Sequence, residues 1–584
     1  MPCIDFVAEA EQCPDCGAEL QVQKSRRRIV VTLAAGPFEA REVVKQCVNV
    51  RCKLTIGSAA LARLVKPRQR YGYDLIVHVG LRRYLAEKQR AEICTELRQR
   101  QGIELSPSTV SQLCDRFLVA FECLHLLRAP SLRAAMKGGY VLHLDATCDR
   151  GKGGLFVCMD GWRRWVLVAG RIDSERNELL RPLVDQTVGL FGDPVAIVRD
   201  LGKGGAGAVA HLRKRGISDL VCHYHFLAAV GKKLFDKQYQ SLRGLLRVSR
   251  LRTDLWSLLR ELRRYRQADG YEGRLGRGQV REQLLALVLW LLEGRGHKDL
   301  PYPFALPHLE RVRRCRQAME QADRWVPRPR SQAEGRAVKC LSRLVGRIER
   351  DQRFGETVAQ IERAWAAFAE LRDVLRLGHG ELPGGDGRKA PIGPPELKLR
   401  RLKEIEKAVG EYAGELRRRL GGLTKQQARW SAHAIILRYL DRYGAHLFGH
   451  PVLRVDDGSV LAIVERTNNV IEQLFGRAKQ RLRRRVGRAN LGRDLAQQPP
   501  QVMLVSNLEH PEYVRVLCGS LEHLPEALAE LDARLLASAR LARNNRHFKL
   551  FRSVRGLLDA ADGADDARRQ PVPNAAEGLP ATVS

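Results

Sequence analysis

Three acidic residues, Asp145, Asp200 and Glu472, stand where divalent-cation chemistry needs them. Asp145 closes the apolar, strand-type run Tyr140-Val-Leu-His-Leu-Asp145, Asp200 follows the run Val195-Ala-Ile-Val198, and Glu472 lies in the first turn of an amphipathic helix. Hard divalent cations take oxygen ligands. Two-metal phosphodiester chemistry uses carboxylates to hold ions about 3.5–4 Å apart, one beside the attacking oxygen and one beside the leaving oxygen. Asp149, Asp160 and Asp173 are rivals for the first ligand, but they fall in turns or after strands, whereas Asp145 ends one. A second set of candidate ligands is sulfur: Cys13-Pro-Asp-Cys16-Gly and Cys47-Val-Asn-Val-Arg-Cys52 flank the strand-like segment Ile29–Leu33. Four thiolates from two such knuckles make the closed tetrahedral site of a zinc ribbon. Free buried cysteines are the plain alternative, and Cys3 is a possible substitute ligand.

The elements that must position the carboxylates follow one another in a recognisable order. After Asp145, Leu155–Met159 and Trp165–Ala169 repeat the apolar strand character, and residues Ser174 to Val188 form a helix that Ser174 is placed to cap. Gly192-Asp-Pro breaks the chain before the fourth strand and Asp200; a short helix and a fifth strand, Leu220-Val-Cys222, come next. This β-β-β-α-β-α-β order is that of an RNase H-like sheet, in which the first and fourth strands lie side by side. The stretch Leu201-Gly-Lys-Gly-Gly205 does not meet the phosphate-cradling pattern G-x-x-x-x-G-K-[ST]. The helix of Glu472 has an apolar stripe of Ile471, Leu474, Phe475, Ala478 and Leu482, and seven of the thirteen residues from Gly476 to Arg488 are Lys or Arg. Lys479, Arg481, Arg483, Arg484 and Arg485 are candidates for phosphate contacts. The plain alternative for Asn469-x-x-Glu472 is a capping box, in which the glutamate only satisfies helix amides.

The 584 residues are enough for three or four domains, and a net charge of +34 with a pI near 10.1 favours a polyanionic partner, nucleic acid by default. Fourteen cysteines with a single tight grouping point to a reducing compartment; a cytoplasmic, nucleoid-associated location is expected. The start Met1-Pro-Cys-Ile-Asp-Phe has no signal-peptide character, and the longest apolar run, Leu284–Leu292, is too short to span a bilayer, so no membrane partner is expected. Between the cysteines and Asp145, helices are expected near Asp74–Glu87 and Ala91–Gln101, then a third opening at Ser106-Pro107. The Gly102 turn suits a helix-turn-helix with Ser108, Thr109, Ser111 and Gln112 toward the major groove; an ordinary helical bundle is the alternative.

Asp145, Asp200 and Asn469-x-x-Glu472 with its basic helix, together with Cys222-x-x-His225, resemble the DDE transposases of insertion sequences and the related Mutator-like transposases. The resemblance implies Mg²⁺ or Mn²⁺ at the three carboxylates, Cys222 and His225 supporting them, cleavage and strand transfer at terminal inverted repeats of double-stranded DNA, and a homodimer or higher oligomer. The expected architecture is multidomain: a zinc ribbon (1–66) holding Zn²⁺; a helix-turn-helix region (67–135); an α/β RNase H-like catalytic core in two parts (136–226 and 450–510) around a large all-α insertion (227–449); a helical region (511–558); and a disordered tail (559–584). A transposase-derived DNA-binding protein without catalysis, or a structure-selective nuclease, are the other functions compatible with these features.

Overall fold

The computed structural model describes residues 1–148, 154–268, 279–293, 300–320, 332–377, 395–424, 426, 431–454 and 460–541. Asp149, most of the Gly- and Pro-rich stretch 378–395, the acidic turn at 456–459, the basic run past 541 and the tail lie outside them. The chain divides into two compact units: residues 1–140, 146–194 and 474–584, and residues 141–145 and 195–473. The fold is mixed α/β with several sheets.

In the first unit, β1 (Cys3–Val7), β2 (Leu20–Thr32), β3 (Gly36–Cys47) and β4 (Thr55–Ile56) form a sheet in which β2 and β3 make one long antiparallel hairpin, with β1 parallel to β3. Its apolar face (Phe6, Val30, Phe38, Ala40) packs against Leu61 and Val65 of and beside the helix Ala59–Leu64. Glu9 caps that helix, accepting from Ser58 and from the amides of Ala59 and Ala60 at 2.8–2.9 Å. Helices Tyr73–Tyr84, Arg90–Gln101 and Pro107–Leu127 follow. Gly102 ends the second with φ 64°, and Ser106 Oγ accepts from the Thr109 amide at 3.1 Å as the third begins. Gly80 is required: a Cβ there would stand 2.2 Å from the Phe117 ring, so only glycine lets the first and third helices approach.

A five-stranded sheet carries the acidic candidates. Its order is β7-β6-β5-β8-β9, from β5 (Val141–Thr147), β6 (Gly154–Asp160), β7 (Trp165–Ile172), β8 (Ala196–Arg199) and β9 (Ser218–Val221). β6 and β7 are antiparallel, whereas β5, β8 and β9 run parallel, joined by helices as parallel pairs must be. The helix between β7 and β8 spans Asn177–Phe191, three residues later than the sequence pattern places it. Ser174 accepts from Arg176 Nε at 3.1 Å instead of capping. β5 runs two residues beyond Asp145, so that residue sits within its strand, not at the end.

In the second unit, the described residues from His223 to His446 are helical, apart from connecting turns, around one apolar core that includes Phe226, Phe235, Phe354 and Phe368. The hairpin of β10 (Val452–Arg454) and β11 (Val460–Ile463) precedes the helix Asn469–Val486.

Candidate functional site

The cysteine set is assembled by strand register. β2 leaves from the first knuckle and β3 returns to the second, pairing Leu20 with Cys47. Cys13 Sγ lies 3.7 Å from Cys52 Sγ, and Cys16 Sγ 3.5 Å from Cys47 Sγ. All four sulfurs fall within 4.8 Å of one another. Those separations are far beyond a disulfide and match the S···S edges of about 3.8 Å that a tetrahedron with Zn–S arms of about 2.3 Å has. The longer Cys47–Cys52 spacing is taken up by Asn49, whose side chain accepts from the Arg51 amide and whose carbonyl accepts from the amides of Cys52 and Lys53, the latter at φ 49°. Cys3 is exposed in β1 and is not in the set. The Ala18 amide, with its thiol neighbours, holds Cys16 below the ordinary thiol range, while burial pushes Cys47 above it.

The carboxylates are delivered by a different device. β5 and β8 pair in parallel with Val141, Leu142 and His143 opposite Ala196, Ile197 and Val198; β8 ends at Arg199, and the same register continued by two residues would bring Asp145 opposite Asp200. Side chains alternate along a strand, so Asp145 shares the face of His143. Asn468 fastens the third element to that face. It is fully buried, and its Oδ1 accepts from His143 Nδ1 at 2.7 Å while its Nδ2 donates to the Leu144 carbonyl at 3.2 Å. Its amide donates to Cys222 Sγ at 3.2 Å. The helix Asn469–Val486 thus starts against β5 with Glu472 in its first turn.

Asn468 also bears on the capping-box alternative for Glu472. The amide of Glu472 bonds the Asn468 carbonyl at 3.3 Å, which makes Asn468 the N-cap and puts Glu472 one position beyond the glutamate of a capping box. Electrostatics agree. Glu9, which does cap a helix, is lowered to about 2 by backbone amides that outweigh its desolvation; Glu472 is raised above the ordinary carboxylate value by burial, against the pull of His225. His225 Nε2 lies 3.5 Å from Glu472 Oε1. Burial opposes a charge on that ring, but Cys222, Glu472 and Asp145 push it up to about 10. Asp200 closes a tight turn by accepting from the Gly202 amide at 2.9 Å, and a Cβ on Gly202 would come 2.9 Å from that same oxygen.

On the opposite face, Arg199 makes a buried two-pronged pair with Asp219 of β9, at 2.7 and 2.8 Å, and its third nitrogen donates to the Asp200 carbonyl at 2.8 Å. Sequence reasoning missed Asn468, His143, Arg199 and Asp219; the Asn-Asn doublet opening the helix was the available signal for the first. All of these side chains belong to the second unit. Among the described residues, the four cysteines are the one set of three or more ligand-type residues drawn within 4.8 Å; Asp145, Asp200 and Glu472 do not form such a set.

The candidate nucleic-acid contacts divide. Ser108 and Gln112 are exposed, whereas Ser111 Oγ accepts from Arg90 at 2.7 Å and Thr109 bonds Ser106 at 3.0 Å. On the basic helix, Arg483 and Arg484 are exposed. Arg481 is instead paired with Glu87 at 3.0 Å and with Glu509, and Lys479 donates to the Cys148 carbonyl. Arg485 lies over the Tyr84 ring, and burial lowers its pKa to about 10. Part of the helix's charge is therefore used to anchor it. No helix among the described residues is long and apolar enough to cross a membrane. No protein-family model matches this chain, and no curated protein matches it in sequence.

Proposed function

We propose that this chain is a DDE-type transposase, a metal-dependent polynucleotidyl transferase that recognises the terminal inverted repeats of a mobile element and cuts and joins DNA there. The observation that carries the reading is the parallel pairing of β5 with β8, whose register continued by two residues would bring Asp145 opposite Asp200, with the helix of Glu472 fastened to β5 by Asn468. The strand order β7-β6-β5-β8-β9 supports an RNase H-like core, with the helices between His223 and His446 as its insertion.

The oxygen-only donor set of Asp145, Asp200 and Glu472 fits Mg²⁺ or Mn²⁺. When bound, such ions supply Lewis-acid activation of the attacking and leaving oxygens. The chain's own residues do the positioning: Asn468 sets the distance of the Glu472 helix from β5, Arg199 fixes the carbonyl of Asp200, and His225 offsets charge beside Glu472. The four cysteines fit Zn²⁺ as a structural ion. Ser108, Gln112, Arg483 and Arg484 are the exposed candidates for DNA contact. A homodimer or larger assembly on double-stranded DNA, in the cytoplasm at the nucleoid, follows from the same reading.

The test is cleavage and joining of DNA carrying the element's terminal repeats, with Mg²⁺ or Mn²⁺, comparing wild type with Glu472→Gln. The expected result is both activities in wild type, with a loss of ~10²- to 10³-fold or more in the variant and DNA binding retained. Specific binding without cleavage under either metal would favour a non-enzymatic DNA-binding protein; cutting without joining would favour a structure-selective nuclease.

A further inference from the structure

The helix Gln332–Arg350 buries Ala337, Leu341, Leu344, Val345 and Ile348 in the helical core of the second unit. Its other side is exposed and cationic: Arg336, Lys339, Arg343, Arg347 and Arg350. At about 100° per residue these five fall within an arc of about 80°, and they extend over about 21 Å of helix. The exposed acid of this helix, Glu349, stands roughly 80° outside the arc, and Glu334 is buried.

Such a stripe is unfavourable by itself. Arg336–Lys339, Lys339–Arg343, Arg343–Arg347 and Arg347–Arg350 are like-charge neighbours at spacings of three or four, each of which weakens a helix. One cation is offset: Arg347 pairs with Asp254 at 3.2 Å. Arg336, Lys339 and Arg343 make no ion pair among the described residues. The contacting helix Leu251–Ala268 adds to the imbalance, exposing Arg252, Arg260, Arg263 and Arg264 against Glu261, with Trp256 also 42% exposed. A merely solvated face interleaves acids with bases, as the helix Pro395–Gly421 does, where Arg400 pairs with Glu404 and Lys407 with Glu411.

We infer that the Arg336–Arg350 stripe is a docking surface for the phosphate backbone of double-stranded DNA, on an element other than those that carry the candidate carboxylates and the basic helix. A duplex offers one phosphate per about 3.4 Å along each strand, so a stripe of about 21 Å has some six phosphates of one strand within its length. The cations are spaced along the helix as phosphates are along a strand, and phosphate contacts hold DNA without reading its sequence. This inference rests on the DNA-binding half of the reading above and not on catalysis.

The experiment uses the full chain and a duplex of unrelated sequence, with binding measured across a salt series. Arg336, Lys339 and Arg343 are changed together to Gln, which leaves the buried face intact. A control variant removes the same charge at Arg400, Lys403 and Lys407. Each phosphate contact contributes about 0.9 to the slope of log K against log salt, so the stripe variant should lose about 2 to 3 from that slope and bind more weakly, while the control keeps the wild-type slope. Equal slopes for wild type and a folded stripe variant would overturn the inference, as would equal losses in both variants, which would make the effect one of net charge. If wild type binds no duplex at all, the DNA reading of the whole chain fails with it. Tight binding of an RNA duplex and none of DNA would replace the partner named here.

Discussion

The four thiols converge and the three carboxylates do not. Cys13, Cys16, Cys47 and Cys52 are brought within 4.8 Å by two knuckles at one end of a hairpin, each held by its own backbone turn. Asp145 lies in β5, Asp200 follows β8, which pairs with β5, and one buried asparagine holds the start of the Glu472 helix to β5; the three are not drawn together as the thiols are. Closed sites serve structure: all coordination is protein, and nothing else fits. A site proposed to do chemistry has to leave coordination for a substrate, which the spread of the carboxylates would allow. The supports differ accordingly. The cysteine set has a satellite core of Leu20 and Leu54 and little else, so a bound ion would have to hold it. The carboxylate edge is braced by buried polar contacts, Asn468 on one face and Arg199–Asp219 on the other, that need no ion.

That contrast predicts its largest effect at the cysteines. Removing the metal with a thiophilic chelator, or changing Cys47→Ser, should abolish amide-exchange protection at the cysteine end of the hairpin, around residues 11–22 and 45–56, and leave the five-stranded sheet protected. Cys3→Ser should change nothing. If the cysteine end keeps its protection without metal, it is self-supporting and the contrast with the carboxylates disappears.

The next effect in size belongs to Arg199. Arg199→Met leaves Asp219 buried beside the more exposed Arg213, and should cost about 3 kcal/mol by denaturant unfolding. Arg199→Met with Asp219→Leu should recover most of that stability, because two apolar groups replace a buried pair. Recovery of stability without recovery of metal-dependent cleavage would identify the guanidinium bond to the Asp200 carbonyl as a positioning contact. A smaller cost, about 1–3 kcal/mol, is expected for Asn468→Ala, which leaves the His143 Nδ1–H and the Leu144 carbonyl without this partner. A cost near zero would mean that the helix of Glu472 is held by its apolar stripe alone.

These braces also mark where sequence legibility ended. Strand and helix types were readable wherever a period repeats, as in β5 to β9, or where a cap has its own chemistry, as at Ser106-Pro107. The cysteine set was readable because all its ligands come from two short knuckles. Asn468 has no such local signature. Its partner His143 lies 325 positions away, and an asparagine before a helix looks like a cap whatever its side chain holds. Arg199 and Asp219 look like charges at strand ends until the parallel register sets their strands side by side. The split of the basic helix was hidden for the same reason, since the acids that occupy Arg481 are Glu87 and Glu509.

The smallest stability change, and the one that separates a structural carboxylate from a functional one, is expected for Glu472→Gln. Burial raises the pKa of Glu472, so its folded value lies above its unfolded one. A raised carboxylate contributes stability while protonated, at pH below the unfolded value, and loses it as pH rises through the folded value; at neutral pH the ionised group is a burden on the fold. A neutral isostere should therefore leave the unfolding midpoint at pH 7 equal to or above that of wild type, by up to ~1 kcal/mol. The difference should fade as pH falls and wild type takes up the proton. Glu9→Gln supplies the opposite sign: its lowered pKa means that the charge stabilises the first helix at neutral pH. If Glu472→Gln is instead clearly destabilising at pH 7, the carboxylate serves the fold as Glu9 does, and its place at the edge with Asp145 and Asp200 has a structural cause.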